Sequence, residues 1–391
     1  MTTNERWLLP DGIDELLPER AVALETLRRQ LLDRCMASGY QFVIPPLVEF
    51  TDSLLVGLGA DLDLMTCKFV DRLSGRTLGV RADMTPQAAR IDAHSLGQPG
   101  VTRLCYAGST LHSASESITS GRSPIQLGAE LYGSASSDAD LEVIDLMLTL
   151  LDCAYLASHH KPVTLDIGHV GIYDAVMADS NLDPTTERAV FDALQRKSRP
   201  DLEGILRGVD TELAGRLQRL MDLHGSAETL VMAREVLSDL PEAIDALDQI
   251  DAVVGHVTAH HPGVALYVDL TELRGFQYHT GLVFAAYVAG VGDAIAKGGR
   301  YDNVGSVFGR ERPATGFTCD LKALAEQCAS QSEAGRVISV PVSGDAALAE
   351  AIAALRGEGC VLIKALDGVH DPGCSEQLVQ QGDQWVCQSL V

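Results

Sequence analysis

The chain has 391 residues, of which 46% are hydrophobic and 21% are charged. These values are typical of a folded globular protein, and the length favours two or three domains over one. Thirty Lys and Arg residues stand against 54 Asp and Glu residues, which gives a net charge of −24. A surface with this charge repels polyanions, so the composition argues against broad nucleic-acid binding.

Cysteine usage and the length of the apolar runs indicate the compartment. The nine cysteines are odd in number and form no C-x-x-C pair, which fits a reduced cytosol. No apolar run approaches the ~20 residues that a membrane span needs, and the first residues lack a charged region followed by a long apolar run. We therefore expect a cytoplasmic protein without a membrane anchor.

The beginning of the chain predicts a helix and then a strand at a sheet edge. Apolar residues from Leu24 to Cys35 recur at helical spacing, and Gly39 marks the end of that helix. The next run, YQFVIPPLVEF, is rich in β-forming residues but contains Pro45-Pro46. Because proline cannot donate to a strand ladder, this run is expected at an edge or at a subunit contact.

The following segments predict more strands and then a helical insertion. Two strands surround Ser74-Gly75, and a helix begins after Thr85-Pro86. Two further strands, VTRLCYAGSTLH and SPIQLGAELYG, precede the amphipathic helix DADLEVIDLMLTLLDCAYL. Between about residues 180 and 260, charged residues recur at three- and four-residue spacing, which predicts a helical insertion.

Strand patterns return after the insertion with VALYVDL and LVFAAYVAG, and a helix is predicted to begin near Asp320. From residue 331 to 391, the order strand, helix, strand predicts a small C-terminal α/β domain. Together these elements predict an α+β fold. Residues 1–330 would form an antiparallel sheet flanked by helices, interrupted by the insertion and followed by the small domain.

Polar residues in or beside the predicted strands are the candidates for a binding site. They are Asp83, Thr85, Gln126, Glu130, Arg274 and Tyr278. Even spacing along a strand puts side chains on one face, so each pair is expected to project into a shared cleft from its own strand. Two carboxylates, an amide, a guanidinium and a phenol suit a small zwitterion. A solvated sheet face explains the same pattern and is the alternative.

Common catalytic and metal signatures are missing from the sequence. There is no P-loop, no G-x-S-x-G and no H-E-x-x-H. His256 and His260 lie four apart on a predicted helix, but no carboxylate or third ligand is implied near them in the chain, so we favour a surface position over a metal site. We expect no metal and no cofactor.

Several segments in chain order resemble class II aminoacyl-tRNA synthetases. IPPLVEF resembles motif 1, and LGVRADMT with RLCYAGSTLH resembles the region of motif 2. IQLGAELYG and LRGFQYHTG are similar to the segments of histidyl-tRNA synthetase that bind histidine, and KGGRYDNVGSVFG with PATGFTCDLKAL resembles the approach to motif 3. The resemblance runs from about residue 7 to 325 and is interrupted by the insertion.

The resemblance implies that the candidate side chains bind histidine. Asp83 and Thr85 would contact its α-ammonium group. Glu130 and Tyr278 would approach the imidazole, and Gln126 would contact the amine or the carboxylate. These roles follow from the family's motifs as they match this sequence.

Other residues that match or differ from the family's motifs imply that this chain binds an amino acid but does not activate it. Arg274 would meet the histidine carboxylate, whereas Gln277 and His279 replace an acid and a tyrosine of the family. Two arginines that bind ATP in the family are also replaced, one by His112 in motif 2 and one by Ala323 in motif 3. Each charged hydrogen bond is worth about 1.5–3 kcal/mol, so their loss predicts that adenylation is absent.

The C-terminal part is shorter than the anticodon-binding domain of a synthetase, so no tRNA partner is expected. This combination resembles the regulatory subunits of ATP phosphoribosyltransferase, a family of histidyl-tRNA synthetase paralogues. The resemblance implies a class II-type dimer, a hetero-octamer with the short catalytic subunit, activation of that subunit and feedback inhibition by histidine, with no chemistry in this chain. The alternatives are a divergent histidyl-tRNA synthetase and a histidine-binding paralogue with another partner.

Overall fold

The chain divides into two compact units, Met1–Ala329 and Ser330–Val391. The computed structural model describes residues 7–55, 60–115, 121–156, 162–178, 180–273, 275, 278–328, 335–382 and 384–390. Within these residues, no helix combines the length and the apolar character that crossing a membrane requires.

Two sheets organise the large unit. Its strands are β1 (Gln41–Phe42), β2 (Val48–Phe50), β3 (Cys67–Val70), β4 (Thr77–Val80), β5 (Thr102–Ser109), β6 (Ile125–Tyr132), β7 (Val163–His169), β8 (His224–Gly225), β9 (Ala265–Asp269), β10 (Leu282–Val288), β11 (Ala296–Arg300) and β12 (Ala314–Asp320). The larger sheet has the order β1-β5-β6-β12-β11-β10-β7-β9-β8, and the smaller one the order β2-β4-β3.

The larger sheet is mixed. The neighbouring pairs from β5 through β6, β12, β11 and β10 to β7 are antiparallel, as predicted. The predicted antiparallel arrangement is wrong for two pairs, because β1 lies parallel to β5 and β9 lies parallel to β7. Parallel pairing needs a long crossover connection, and the chain has one between the two strands of each of these pairs.

The helices of the large unit either flank the sheet or form the insertion that precedes β9. The flanking helices are α1 (Pro18–Ala37), α2 (Thr51–Leu54), α3 (Ala60–Met65), α4 (Thr85–Arg90), α5 (Ser137–Leu151), α6 (Val170–Met177) and α12 (Leu321–Gln327). The insertion contains α7 (Pro184–Gln195), α8 (Arg199–Ile205), α9 (Thr211–Asp222), α10 (Thr229–Val236) and α11 (Pro241–His260).

Local sequence explains where several of these helices begin. The Ser136 hydroxyl accepts a hydrogen bond from the backbone N–H of Asp138 at the start of α5. Asp183 caps α7 in the same way, and Asp320 caps α12. Such side chains satisfy backbone N–H groups that have no partner inside the helix. The predicted helix start near Asp320 is therefore confirmed.

Apolar and polar side chains alternate along β6 and therefore lie on opposite faces of the large sheet. Leu127, Ala129 and Leu131 are buried in the main apolar core, where α1, α5, α11 and α12 cover the sheet. Gln126 and Glu130 alternate with them and project to the opposite face. The candidate site lies on that opposite face.

The small unit is an α/β fold. It consists of β13 (Val337–Val340), α13 (Ala346–Gly357), β14 (Val361–Lys364), β15 (Glu376–Gln381) and β16 (Gln384–Ser389). The strand order is β14-β13-β15-β16, and only β15 and β16 pair in antiparallel fashion within the described residues. Ile338, Val340, Leu348 and Leu378 form its core. The hairpin of β15 and β16 follows the predicted strand, helix and strand.

Candidate functional site

Glu130 is the buried centre of the candidate site. It lies on β6 and is 1% exposed. Its Oε1 accepts a hydrogen bond from the Tyr106 hydroxyl at 2.7 Å, and its Oε2 accepts one from the Tyr301 hydroxyl. Burial raises the pKa of Glu130 to about 8. At neutral pH this carboxyl group therefore holds a proton and has hydrogen-bonding capacity without a net charge.

Two glycines make room for these side chains. Gly316 on β12 is paired with Glu130, and a Cβ atom at Gly316 would overlap Glu130 Oε2. Gly128 is paired with Tyr106 on β5, and a Cβ atom there would overlap the Tyr106 hydroxyl. Both glycines are thus needed for close approach of a side chain to the sheet.

A second polar group adjoins the first. Gln126 Nε2 donates to Asp83 Oδ1 at 2.7 Å, and the Thr85 backbone N–H donates to the same oxygen at 3.0 Å. Thr85 Oγ1 lies 2.9 Å from the Tyr106 hydroxyl. Because Tyr106 also donates to Glu130, one continuous hydrogen-bond network joins both groups. Networks of this kind hold their members in fixed positions.

Tyr278 lies beside the Glu130 group. Its ring stacks on that of Tyr301, with 5.0 Å between the centroids. Its hydroxyl oxygen is buried and has no hydrogen-bond partner among the residues that the structure describes. Such an atom is costly unless a ligand or another group satisfies it.

The structure corrects the predicted setting of Tyr278. Arg274 and Tyr278 were expected to project from one strand, but β9 ends at Asp269 and β10 begins at Leu282. Tyr278 lies in a turn, where its backbone N–H donates to the Gly275 carbonyl at 2.8 Å. Gly275 has φ +69°, a left-handed conformation outside the region of regular strands. Arg274 itself lies outside the described residues, and so does Gln277.

The structure thus brings five of the six predicted side chains into one place: Asp83, Thr85, Gln126, Glu130 and Tyr278. Their role in binding stays a prediction. Tyr106 and Tyr301 were missed. Tyr106 is in a predicted strand, but only the register between β5 and β6 shows that it faces Glu130. Tyr301 directly follows β11 and reaches the site through pairing of strands distant in sequence.

His112 and Ala323 are the two positions predicted to replace ATP-binding arginines. His112 is 8% exposed, and its Nε2 lies 3.0 Å from the Ala82 carbonyl oxygen. Ala323 lies in α12. The neighbouring cations Arg122 and Lys322 are engaged with the protein, because Arg122 Nε donates to the His112 carbonyl and Lys322 Nζ to a carboxylate oxygen of Asp14.

His256, one of the two histidines that raised the question of a metal site, contacts a carboxylate on another helix. His256 Nε2 lies 2.8 Å from Asp145 Oδ1, and His261 Nε2 lies 2.9 Å from the same oxygen. His260 stacks on His256 with 4.2 Å between the ring centroids. Asp145 is on α5, so the sequence around α11 contained no sign of it. These contacts join the insertion to the helical side of the sheet.

The mixed sheet with its flanking helices and the small α/β unit give this chain a histidyl-tRNA synthetase-like fold. The histidyl-tRNA synthetase family model matches residues 12–324. The model for the ATP phosphoribosyltransferase subunit HisZ C-terminal domain matches residues 335–388. An ATP phosphoribosyltransferase regulatory subunit from Marinobacter nauticus is 51% identical over 100% of both chains. This chain belongs to the family of ATP phosphoribosyltransferase regulatory subunits.

Solved structures agree with this assignment. A protein from Bacillus halodurans, described as an ATP phosphoribosyltransferase regulatory subunit/histidyl-tRNA synthetase, has a TM-score of 0.79 and 26% identity over 95% of this chain and 96% of its own. An ATP phosphoribosyltransferase (HisG:HisZ) complex from Thermotoga maritima has a TM-score of 0.58 and 18% identity over 79% of this chain and 98% of that one, and it shows the shared fold.

These findings confirm the predicted family, the fold class and the general function. The chain is a regulatory subunit of ATP phosphoribosyltransferase, a component of histidine biosynthesis, and is not an enzyme by itself. The reading as a divergent histidyl-tRNA synthetase is accordingly set aside.

Proposed function

We propose that this subunit binds histidine in the pocket around Glu130 and regulates the short catalytic subunit of ATP phosphoribosyltransferase. Without histidine the regulatory subunit activates its partner, and with histidine the complex becomes less active. The observation that carries the proposal is the network of Asp83, Thr85, Gln126, Tyr106 and Glu130, closed on one side by Tyr278.

The chemistry of the network suits an amino acid with an imidazole ring. Asp83 presents a carboxylate to the α-ammonium group, and Thr85 and Gln126 fix its orientation. Glu130 and the Tyr278 hydroxyl lie where the imidazole would enter. Since Glu130 holds a proton at neutral pH, a neutral imidazole can bind it without leaving an unpaired buried charge. In the proposal, Arg274 contacts the histidine carboxylate.

Feedback requires that histidine favours a less active state of the complex. The coupling is reciprocal, so substrates that favour the active state weaken histidine binding by the same factor. Typical coupling free energies of about 1–3 kcal/mol change affinity about 5- to 150-fold, which is enough for metabolic feedback.

The proposed assembly is a hetero-octamer of this subunit with the short catalytic subunit, and it contains class II-type dimers of this chain. The Thermotoga complex supports the identity of the partner. Phe42, Ile44 and Leu47 support a dimer surface, because these apolar side chains are 37%, 77% and 51% exposed beside Pro45-Pro46. The location is proposed to be cytoplasmic, with no tRNA bound.

The domain organisation is part of the same proposal. Residues 1–330 are assigned to the synthetase-like domain with its insertion, and residues 331–391 to the C-terminal domain. The two compact units and the two matching family models support this division.

The deciding experiment is an assay of phosphoribosyl-ATP formation by the short catalytic subunit from the same organism. Rates are compared with and without this chain across a histidine titration. We expect stimulation that histidine reverses, and an Asp83→Asn variant that still stimulates but responds poorly to histidine. Asp245→Asn, a matched change on the exposed face of α11, should behave like the natural protein.

An unchanged rate at all histidine concentrations would refute the proposal. Stimulation without any response to histidine would retain the activating role and remove the effector. Equal histidine responses of the natural protein and of Asp83→Asn would place the effector outside this pocket.

A further inference from the structure

A lysine of the helical insertion holds one end of the segment that leads to the pocket. We call residues 270–281, between β9 and β10, the pocket connection; it contains Arg274 and Tyr278. Lys197 lies between α7 and α8, and its Nζ donates to Asp269 Oδ1 at 2.8 Å and to Thr271 Oγ1 at 2.7 Å. The ammonium group therefore binds both the last residue of β9 and the start of the connection.

The backbone of Lys197 is in a conformation that lysine disfavours. Its φ angle is +52°, and among the described residues Asp367 is the only other non-glycine residue with a positive φ. Glycine adopts this conformation without steric cost at the end of a helix, whereas other residues are strained there. Backbone preference therefore does not explain a lysine at this position, but its side-chain contacts do.

The ammonium group of Lys197 lies beside a cluster of carboxylates. Carboxylate oxygens of Asp166, Asp269 and Glu272 all lie within 4.8 Å of one another, and the Asp269 side chain is only 7% exposed. Carboxylates so close together repel each other in a buried setting. Lys197 brings a positive charge from the insertion to this cluster, so it stabilises the start of the pocket connection.

The connection is fixed to the sheet at both ends. At its start, a Cβ atom at Gly168 on β7 would lie 2.8 Å from the Asp269 carbonyl oxygen, which shows how closely the chain packs on this strand. At its end, the Thr280 backbone N–H donates to the Arg300 carbonyl at 2.7 Å, next to Tyr301. Only the start receives a side chain from the insertion in the described contacts.

We propose that Lys197 is a positioning residue that ties the helical insertion to the pocket connection and thereby fixes the side chains which face the ligand. Movement of the insertion would break the contacts of Lys197 with Asp269 and Thr271 and loosen the connection. The inference about the connection stands on these contacts alone, and its consequence for histidine rests on the proposed function.

Hydrogen exchange of the ligand-free protein tests the positioning role. Lys197→Met removes the ammonium group, and Lys197→Gly also removes the backbone strain. The control is Arg199→Met, because Arg199 pairs with Asp222 inside the insertion. We expect amides of residues 270–281 to exchange about tenfold faster in both Lys197 variants and at the natural rate in the control.

Thermal unfolding distinguishes positioning from a purely structural role of the turn. Lys197→Gly should unfold at a higher temperature than Lys197→Met because glycine relieves the left-handed backbone. If Lys197 served only the turn, the glycine variant would protect residues 270–281 as well as the natural protein does. Unchanged exchange in both variants would overturn the proposal.

Calorimetric titration with histidine tests the link to the ligand. Both Lys197 variants should bind histidine about tenfold more weakly than the natural protein, with Arg199→Met unchanged. If the natural protein does not bind histidine, the proposed function fails while the exchange result still decides the role of Lys197. Equal affinities together with a loosened connection would overturn the link to the ligand.

Discussion

The surroundings of Glu130 and the positions of His112 and Ala323 belong to one fold but differ in chemistry. Around Glu130, carboxyl, amide and phenol side chains form a hydrogen-bond network, and the pKa of Glu130 at its centre is raised. At His112 and Ala323, which are predicted to replace two ATP-binding arginines, the side chains are an imidazole and a methyl group. Under the proposed function, the fold keeps an amino-acid site and lacks the nucleotide contacts.

The difference has a physical basis. Every member of the Glu130 network is buried or bonded to another member, so a single replacement leaves a polar atom without a partner. An arginine that reaches towards a nucleotide has no such internal dependence, and its loss costs the fold little.

The largest effect is expected from Glu130→Gln. Burial raises the pKa of Glu130 from 4.5 to about 8, so the folded state binds the proton more tightly than the unfolded state. This stabilisation is complete below pH 4.5 and is lost as the pH rises towards 8, which amounts to about 3 kcal/mol by pH 7. Glutamine does not titrate, so urea unfolding of the variant should lack this loss.

Glu25→Gln is the matched control. Hydrogen bonds from Arg28 and Arg29 lower the pKa of Glu25 from 4.5 to about 2. The stability that the charged Glu25 gives to the folded state is therefore complete above pH 4.5 and is lost as the pH falls towards 2. Between pH 5 and 8.5 the difference between this variant and the natural protein should be constant. A constant difference for Glu130→Gln as well would show that Glu130 is charged in the folded state.

A smaller effect is expected from Gly316→Ala, because the added methyl group fills space that the Glu130 side chain occupies. The added Cβ would overlap Glu130 Oε2, so the carboxyl group or the strand must shift. Overpacking of this kind costs about 1–3 kcal/mol, measured as the free energy of unfolding. In contrast, a Cβ atom at Gly215 on α9 would have no other atom within 4 Å. Gly215→Ala should therefore stabilise the helix by about 0.5–1 kcal/mol.

Ligand affinity should change more modestly in Gln126→Leu. This variant removes the hydrogen bond from Gln126 Nε2 to Asp83 and leaves the Asp83 carboxylate less well oriented. Histidine binding, measured by calorimetry, should weaken about tenfold. Gln377→Leu on β15 is the control and should bind normally. Normal binding by Gln126→Leu would remove this amide from the proposed site.

Local patterns predicted much of the fold but not its long-range contacts. Helical spacing located α1 and the insertion, and alternation put Gln126 and Glu130 on one face. Tyr278 was assigned to a strand because its neighbours are β-forming, although a left-handed glycine at 275 breaks that strand. Register between strands brings Tyr106 and Tyr301 to Glu130, and no local pattern encodes that register.

Side chains that reach across the molecule escaped prediction for the same reason. Asp145 contacts His256 across 111 residues of sequence, and Lys197 contacts Asp269 across 72. In the sequence, nothing distinguishes any of these residues from other polar or charged residues of its element. Only the packing of the insertion against the sheet gives them partners.

The smallest effect is expected from restoring both arginines, with His112→Arg and Ala323→Arg combined. The measurement is histidine-dependent exchange of pyrophosphate into ATP, with an active histidyl-tRNA synthetase as the positive control. We expect no exchange above background. His112 is 8% exposed and bonded to the Ala82 carbonyl, so an arginine there must displace packed surroundings before it can reach a ligand.

The outcome bears directly on how the two regions differ. Catalysis needs donors within about 0.5 Å of their productive positions, and two restored charges do not supply that arrangement. Exchange above background would mean that the surroundings of His112 and Ala323 still hold a nucleotide correctly and that two replacements alone separate regulation from catalysis. Its absence would mean that the nucleotide region has changed beyond those two positions, while the pocket around Glu130 kept its network.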